Sequence, residues 1–117
     1  MILAVIDDLM FSSKIRTTAK QLGADVVFAR SREAALAEMQ KIQPSLVIFD
    51  INNARLDPLG IVRAMKADAA LASVPTLAYA SHVQVDAIAA ARETGVDEVL
   101  ARSVFTMQLA DILARGR

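Results

Sequence analysis

Three aspartates in this chain could do chemistry if they meet. Asp7 and Asp8 are adjacent near the amino terminus, and Asp50 ends the apolar run Leu46-Val47-Ile48-Phe49. Carboxylates crowded into one pocket repel and raise one another's pKa unless a cation intervenes. An oxygen-rich site of that kind suits Mg²⁺, which keeps several waters and is held by one or two carboxylates plus phosphate oxygens. An aspartate beside such an ion can attack a phosphoryl donor and form an acyl phosphate. Any one of the three alone reads as a polar strand end; the chemistry needs them at one edge.

Their meeting depends on the elements that carry them. Four large apolar residues before Asp50 predict a strand buried on both faces, the pattern of a parallel sheet. Ile2 to Ile6 is a similar strand, ended by Asp7-Asp8. Phe11, Ile15, Ala19 and Leu22 recur at helical spacing, with Gly23 as a stop. Residues 25–29 form a second strand, and Ser31 can cap a helix with the stripe Ala35, Leu36, Met39 and Ile42, ended by Pro44. After Asp50, residues 51–55 leave the sheet as a loop. Asp57-Pro58 then reads as an N-cap followed by proline at the first helical position. Strands are expected at 75–80 and 96–101, with an Ala-rich helix at 82–94 between them. A last helix at 105–115 carries Phe105, Leu109, Ile112 and Leu113 on one face.

Five strands alternating with five helices predict an α/β fold of three layers, a flavodoxin-like (βα)5 unit with a five-stranded parallel sheet. Right-handed crossovers favour the strand order 2-1-3-4-5. In that order strands one and three are neighbours, and Asp7, Asp8 and Asp50 fall at the same carboxyl edge, where ligand sites form in open α/β sheets.

The 117 residues suit one domain over 1–117, with no output domain expected. Thirteen basic and thirteen acidic residues cancel, so no basic excess points to nucleic acid or an anionic membrane. The absence of Cys excludes disulfides and thiolate chemistry. No run approaches a spanning helix and no signal peptide is visible, so a cytoplasmic location is expected. His82 opens a helix and reads as a solvated surface group.

The chain resembles the receiver domains of response regulators along its whole length. The resemblance rests on Ile6-Asp7-Asp8, on Arg32-Glu33-Ala34-Ala35-Leu36, on 44–51 ending in Asp50-Ile51, and on 95–102. It implies a stand-alone receiver in two-component phosphorelay signalling, with no enzymatic activity beyond phosphoryl transfer to and from its own aspartate. Asp50 would be the phosphoacceptor. Asp7, Asp8, Asp50 and the backbone carbonyl of Asn52 would hold Mg²⁺ weakly. A histidine kinase or phosphotransfer protein would be the donor. A protein partner would dock on the face of the fourth helix, fifth strand and fifth helix of a monomer or weak dimer.

Several positions depart from the family pattern. Ala80 stands where the family has a Ser or Thr at the end of strand four, with Ser81 next as a substitute hydroxyl donor. Arg102-Ser103 replaces Lys-Pro; Arg102 keeps the charge and could pair Asp50 or lie on the surface. Val99 replaces the aromatic of strand five, and Pro58 stands where the family has Gly. These departures motivate an alternative, a pseudo-receiver that binds proteins without phosphorylation. A flavin carrier would need a Gly-rich phosphate loop after strand one, where Asp7-Asp8 has the wrong charge. A haloacid-dehalogenase-type phosphatase would need Asp at position 52, which is Asn52.

Overall fold

Burial along each strand matches its place in the sheet. β1 (Ile2–Val5), β3 (Leu46–Asp50) and β4 (Thr76–Ala80) are buried over their whole length. β2 (Val26–Ala29) and β5 (Glu98–Ala101) are only partly covered. In the computed structural model, which describes residues 1–81 and 85–116, the first three are the interior strands and the other two the edges. The sheet is parallel throughout, in the order β2-β1-β3-β4-β5. The register pairs Val5 with Phe49, Asp50 with Tyr79, and Ala80 with Ala101, so the carboxyl ends of the strands finish level.

Alternation along the strands divides the core into two layers. Leu3, Val5, Val47, Phe49, Ala78, Ala80 and Val99 pack with side chains from α2 (Arg32–Ile42), α3 (Pro58–Ala67) and α4 (Val85–Thr94). Ile2, Ala4, Ile48, Leu77 and Tyr79 pack with α1 (Leu9–Leu22), α5 (Arg102–Met107) and α6 (Leu109–Gly116). Three layers follow. Asp50 continues the Leu46, Ile48 series and therefore points toward the α1 and α5 side.

Local chemistry ends the helices where the sequence suggests. Gly23 caps α1 with φ +69°, a conformation that costs glycine least. Ser31 accepts from the Ala34 N–H at the start of α2. Asp57 caps α3 with Pro58 at its first turn, and its carboxylate accepts from the Gly60 N–H at 3.3 Å.

Beyond one-residue differences at β1, β2 and β4, the expected elements change in four places. The loop after Asp50 contains a 3-10 turn, Ala54–Leu56, whose last residue leads into Asp57 at φ +48°. β5 begins at Glu98 because Val96 is held by Ala91 O, closing the turn after α4. The expected helix at 105–115 starts three residues early, at Arg102, directly off the strand. It also breaks at Gln108, whose φ of −99° and ψ of 9° leave the helical region before α6 begins. Phe105 of α5 and Leu109, Ile112 and Leu113 of α6 nonetheless join the same core layer. His82 and the start expected for the fourth helix lie outside the described residues. No helix among the described residues is long and apolar enough to cross a membrane.

Candidate functional site

Asp50 ends the central strand, and its residue is only 8% exposed. The Asn52 N–H donates to its Oδ1 at 3.0 Å, which orients the carboxylate. Burial pushes the Asp50 carboxyl above the usual carboxylate range. The Asn52 N–H and the Arg102 charge oppose that rise, while the charges of Asp7 and Asp8 add to it. The mutual elevation expected among the three acids is therefore a minor part of the rise at Asp50, behind burial, and Asp8 is shifted the opposite way.

Asp8 is committed to the start of α1. Its Oδ1 accepts from the Phe11 N–H at 3.0 Å, and its Oδ2 from Arg102 Nη2 at 3.1 Å. The Phe11 N–H, with help from Arg102 and against partial desolvation, holds the Asp8 carboxyl below its ordinary pKa. Asp7 turns the other way. Its Oδ1 accepts from the Asn53 side-chain amide and its Oδ2 from the Arg55 guanidinium, both donors from the loop after β3.

Arg102 pairs with Asp8, and the pairing with Asp50 left open by the sequence is not made. Its Cζ stands 4.7 Å from the Phe11 ring centroid and 5.9 Å from that of Tyr79. Phe11, Tyr79 and Phe105 form a three-ring cluster beneath it, with centroids 4.7–5.6 Å apart. Tyr79 is fully buried, and burial followed by the Asp50 charge pushes its phenol far above the ordinary range.

A cavity of about 350 Å³ opens beside this edge, lined by Asn52, Ser81, Ala101, Arg102, Ser103 and Thr106. Ser81, half-buried, shares it with the arginine. Ala80 is fully buried on the opposite face with Val99, so it reaches no part of the cavity. The larger cavity, about 420 Å³, is at the other end of the sheet around Ser45, Thr76, Asp97 and Arg115.

The donor set of Asp7, Asp8, Asp50 and the Asn52 carbonyl is all hard oxygen, the chemistry of Mg²⁺ or Mn²⁺. The arrangement is not that of a formed metal centre. Among the described residues no three acidic or histidine side chains are grouped to hold an ion. Protein donors already engage each acid: loop donors at Asp7, Arg102 at Asp8 and the Asn52 N–H at Asp50.

Sequence reasoning singled out Asp7, Asp8, Asp50, Asn52, Ser81 and Arg102, and all reach this edge. It missed Asn53 and Arg55, whose only signal was two side-chain donors in the loop following the acid. It also missed the ring cluster under Arg102, which draws on three separate elements.

No protein-family model matches the chain, and no curated protein is similar to it in sequence. Solved structures are similar. The chemotaxis response regulator CheY4 of Vibrio cholerae superposes with a TM-score of 0.84 at 22% identity, over 99% of this chain and 97% of that one. The fold is that of response-regulator receiver domains. A putative response regulator from Chloroflexus aurantiacus gives 0.84 at 24% identity, covering 97% and 96% of the two chains. The response regulator Rcp1, solved in its Mn²⁺-bound form, gives 0.79 at 21% identity, covering 95% and 89%. The receiver fold thus spans nearly the whole of this chain, with the order 2-1-3-4-5 expected from its strand pattern.

Proposed function

We propose that this chain is a receiver in two-component signalling that accepts a phosphoryl group on Asp50 and acts through protein contacts. The observation that carries the reading is the enclosed Asp50 carboxylate at the end of β3, with Asp7 and Asp8 at the neighbouring strand end and a cationic cavity beside it.

The chain's own residues supply most of the chemistry. The Asn52 N–H holds Oδ1 of Asp50, so Oδ2 is the attacking atom. A new Oδ2–P bond forms as the bond from phosphorus to the donor's imidazole nitrogen breaks, and the imidazole keeps the electron pair. The phosphoryl group would lie toward the cavity, where Arg102 offers charge and Ser81 a hydroxyl. Arginine binds phosphoryl oxygens as a planar fork, so a modest turn of Arg102 away from Asp8 would be enough. Divalent metal, held by Asp7, Asp8, Asp50 and the Asn52 carbonyl, would neutralise charge on the phosphoryl oxygens. Mg²⁺ bound weakly is the expected ion, and the Mn²⁺-bound form of Rcp1 supports a divalent cation there.

The donor would be a histidine kinase or a phosphotransfer protein. The face of α4, β5 and α5 would receive a downstream partner. Behind it Ala80 offers no hydroxyl and Val99 no ring, so this face should be nearly the same in either state.

Acetyl phosphate with Mg²⁺ should add one phosphoryl group to the intact protein, read by mass, and Asp50→Asn should abolish it. An unlabelled wild type would point instead to a protein-binding module that does not use phosphate. Persistent labelling of Asp50→Asn would move the acceptor elsewhere.

A further inference from the structure

Asp7 differs from Asp8 in what holds it. Asp8 is bound into the fold through the Phe11 N–H, so its carboxylate has a structural task. Both Asp7 oxygens are instead met by the loop, Oδ1 by Asn53 and Oδ2 by Arg55. The Asp7 side chain is 15% exposed, whereas that of Arg55 is 78% exposed. An exposed guanidinium therefore reaches down onto a mostly covered carboxylate. It comes from the turn Ala54–Leu56, which runs straight into the cap of α3 at Asp57.

We propose that Arg55 is a tethered counter-ion for Asp7, and that a divalent cation enters this edge only as Arg55 leaves. The inference rests on the reading that such a cation joins Asp7, Asp8 and Asp50. A guanidinium supplies the charge that three neighbouring carboxylates require, but it is delivered by the protein itself and requires no dissolved ion. The tether raises its local concentration at Asp7, and its exposure makes it cheap to release. Cation and guanidinium repel each other and compete for the same oxygen, so occupancy by one excludes the other. Asn53 is in the same loop and shares the same carboxylate, so exchange at Asp7 also alters the segment between Asp50 and α3. Arg102 cannot be the exchanging group to the same degree, because it is also stacked over Phe11.

The test is Mn²⁺ binding to the whole chain, measured by water-proton relaxation, for wild type, Arg55→Gln, Arg55→Lys and a control, Arg92→Gln in the last turn of α4. Arg55→Gln should bind about two- to fivefold more tightly than wild type, the range expected for losing an exposed ion pair. Arg55→Lys, which keeps the charge, should fall between them, and Arg92→Gln should match wild type. In the wild type, NMR shifts of 53–57 should move with Mg²⁺, and Arg55→Gln without metal should reproduce part of that movement. Equal Mn²⁺ affinity in wild type and Arg55→Gln overturns the inference while leaving the metal-assisted reading intact. Equal tightening by Arg92→Gln also overturns it, since net charge alone would then be the cause. No Mn²⁺ binding in any variant removes the metal from the proposed function and the inference with it.

Discussion

Removing the Arg102 guanidinium tests how this edge is held together. Its two contacts are of different kinds. The ion pair with Asp8 spans 3.1 Å between side chains 46% and 38% exposed, so solvent screens it heavily. Such pairs contribute about 0.2–1 kcal/mol, and this one belongs in the lower half. The stack over Phe11 at 4.7 Å adds about 0.5–1 kcal/mol at a partly exposed site. Arg102→Ala should therefore destabilise the fold by about 1 kcal/mol, which for a domain of this size lowers Tm by roughly 3–6 °C. Arg102→Lys should recover the ion pair and little of the stack. Two double-mutant cycles, read from urea denaturation by circular dichroism, separate the parts. Asp8→Asn is the right partner for the first, because Asn caps a helix about as well as Asp and only the charge is lost. Its coupling to Arg102→Ala should be about 0.3 kcal/mol and vanish at roughly 1 M salt. The second cycle, with Phe11→Leu, should give about 0.5 kcal/mol and survive the salt. If neither cycle shows coupling, Arg102 is a solvated side chain and its placement over the ring cluster has no energetic meaning.

Two further outcomes follow from the geometry. Asp50 has a folded-state pKa above its unfolded value, so its contribution to stability is fully present below the unfolded pKa, near about 4, and is lost as pH climbs through the folded value. Asp50→Asn should accordingly be more stable than wild type at neutral pH by urea midpoint, with the gap closing toward about pH 4; a less stable variant at neutral pH contradicts the burial argument. At Gly60, a Cβ would stand 2.1 Å from Asp57 Oδ2, so Gly60→Ala must push the capping carboxylate aside. The usual gain of about 0.8–1 kcal/mol for Gly→Ala in a helix should be cancelled in the wild type and recovered in an Asp57→Ala background, measured by thermal denaturation.

The strand pattern was legible because burial and sequence speak the same language there. Leu46 to Phe49 are apolar without interruption because β3 is covered on both sides, and the edge strand β5, which opens on Glu98, is less covered. Asp57-Pro58 and Gly23 were legible because capping is chemistry within a few residues. The break at Gln108 was not, since Phe105, Leu109, Ile112 and Leu113 keep helical spacing across it and only the packing of Phe105 on Phe11 and Tyr79 distinguishes the two halves. Arg102 was visible as a charge at the right place, but its choice of Asp8 over Asp50 depends on the Phe11 ring that supports it. Arg55 was hidden for a related reason. Its partner is Asp7, 48 residues earlier, and no local period links an irregular loop to a strand end so far away in the chain.

Tyr79 is the single tyrosine of a chain without tryptophan. Near-ultraviolet absorption and emission from the native protein therefore come almost wholly from one ring, set beneath the arginine and beside the strand that ends in Asp50. No label has to be added and no second chromophore has to be subtracted. Because the ring is fully enclosed, its spectrum is insulated from bulk solvent and is governed by the fixed charges and rings around it. The molecule thus contains its own optical gauge of the charge state at its candidate site, placed on a rigid interior strand.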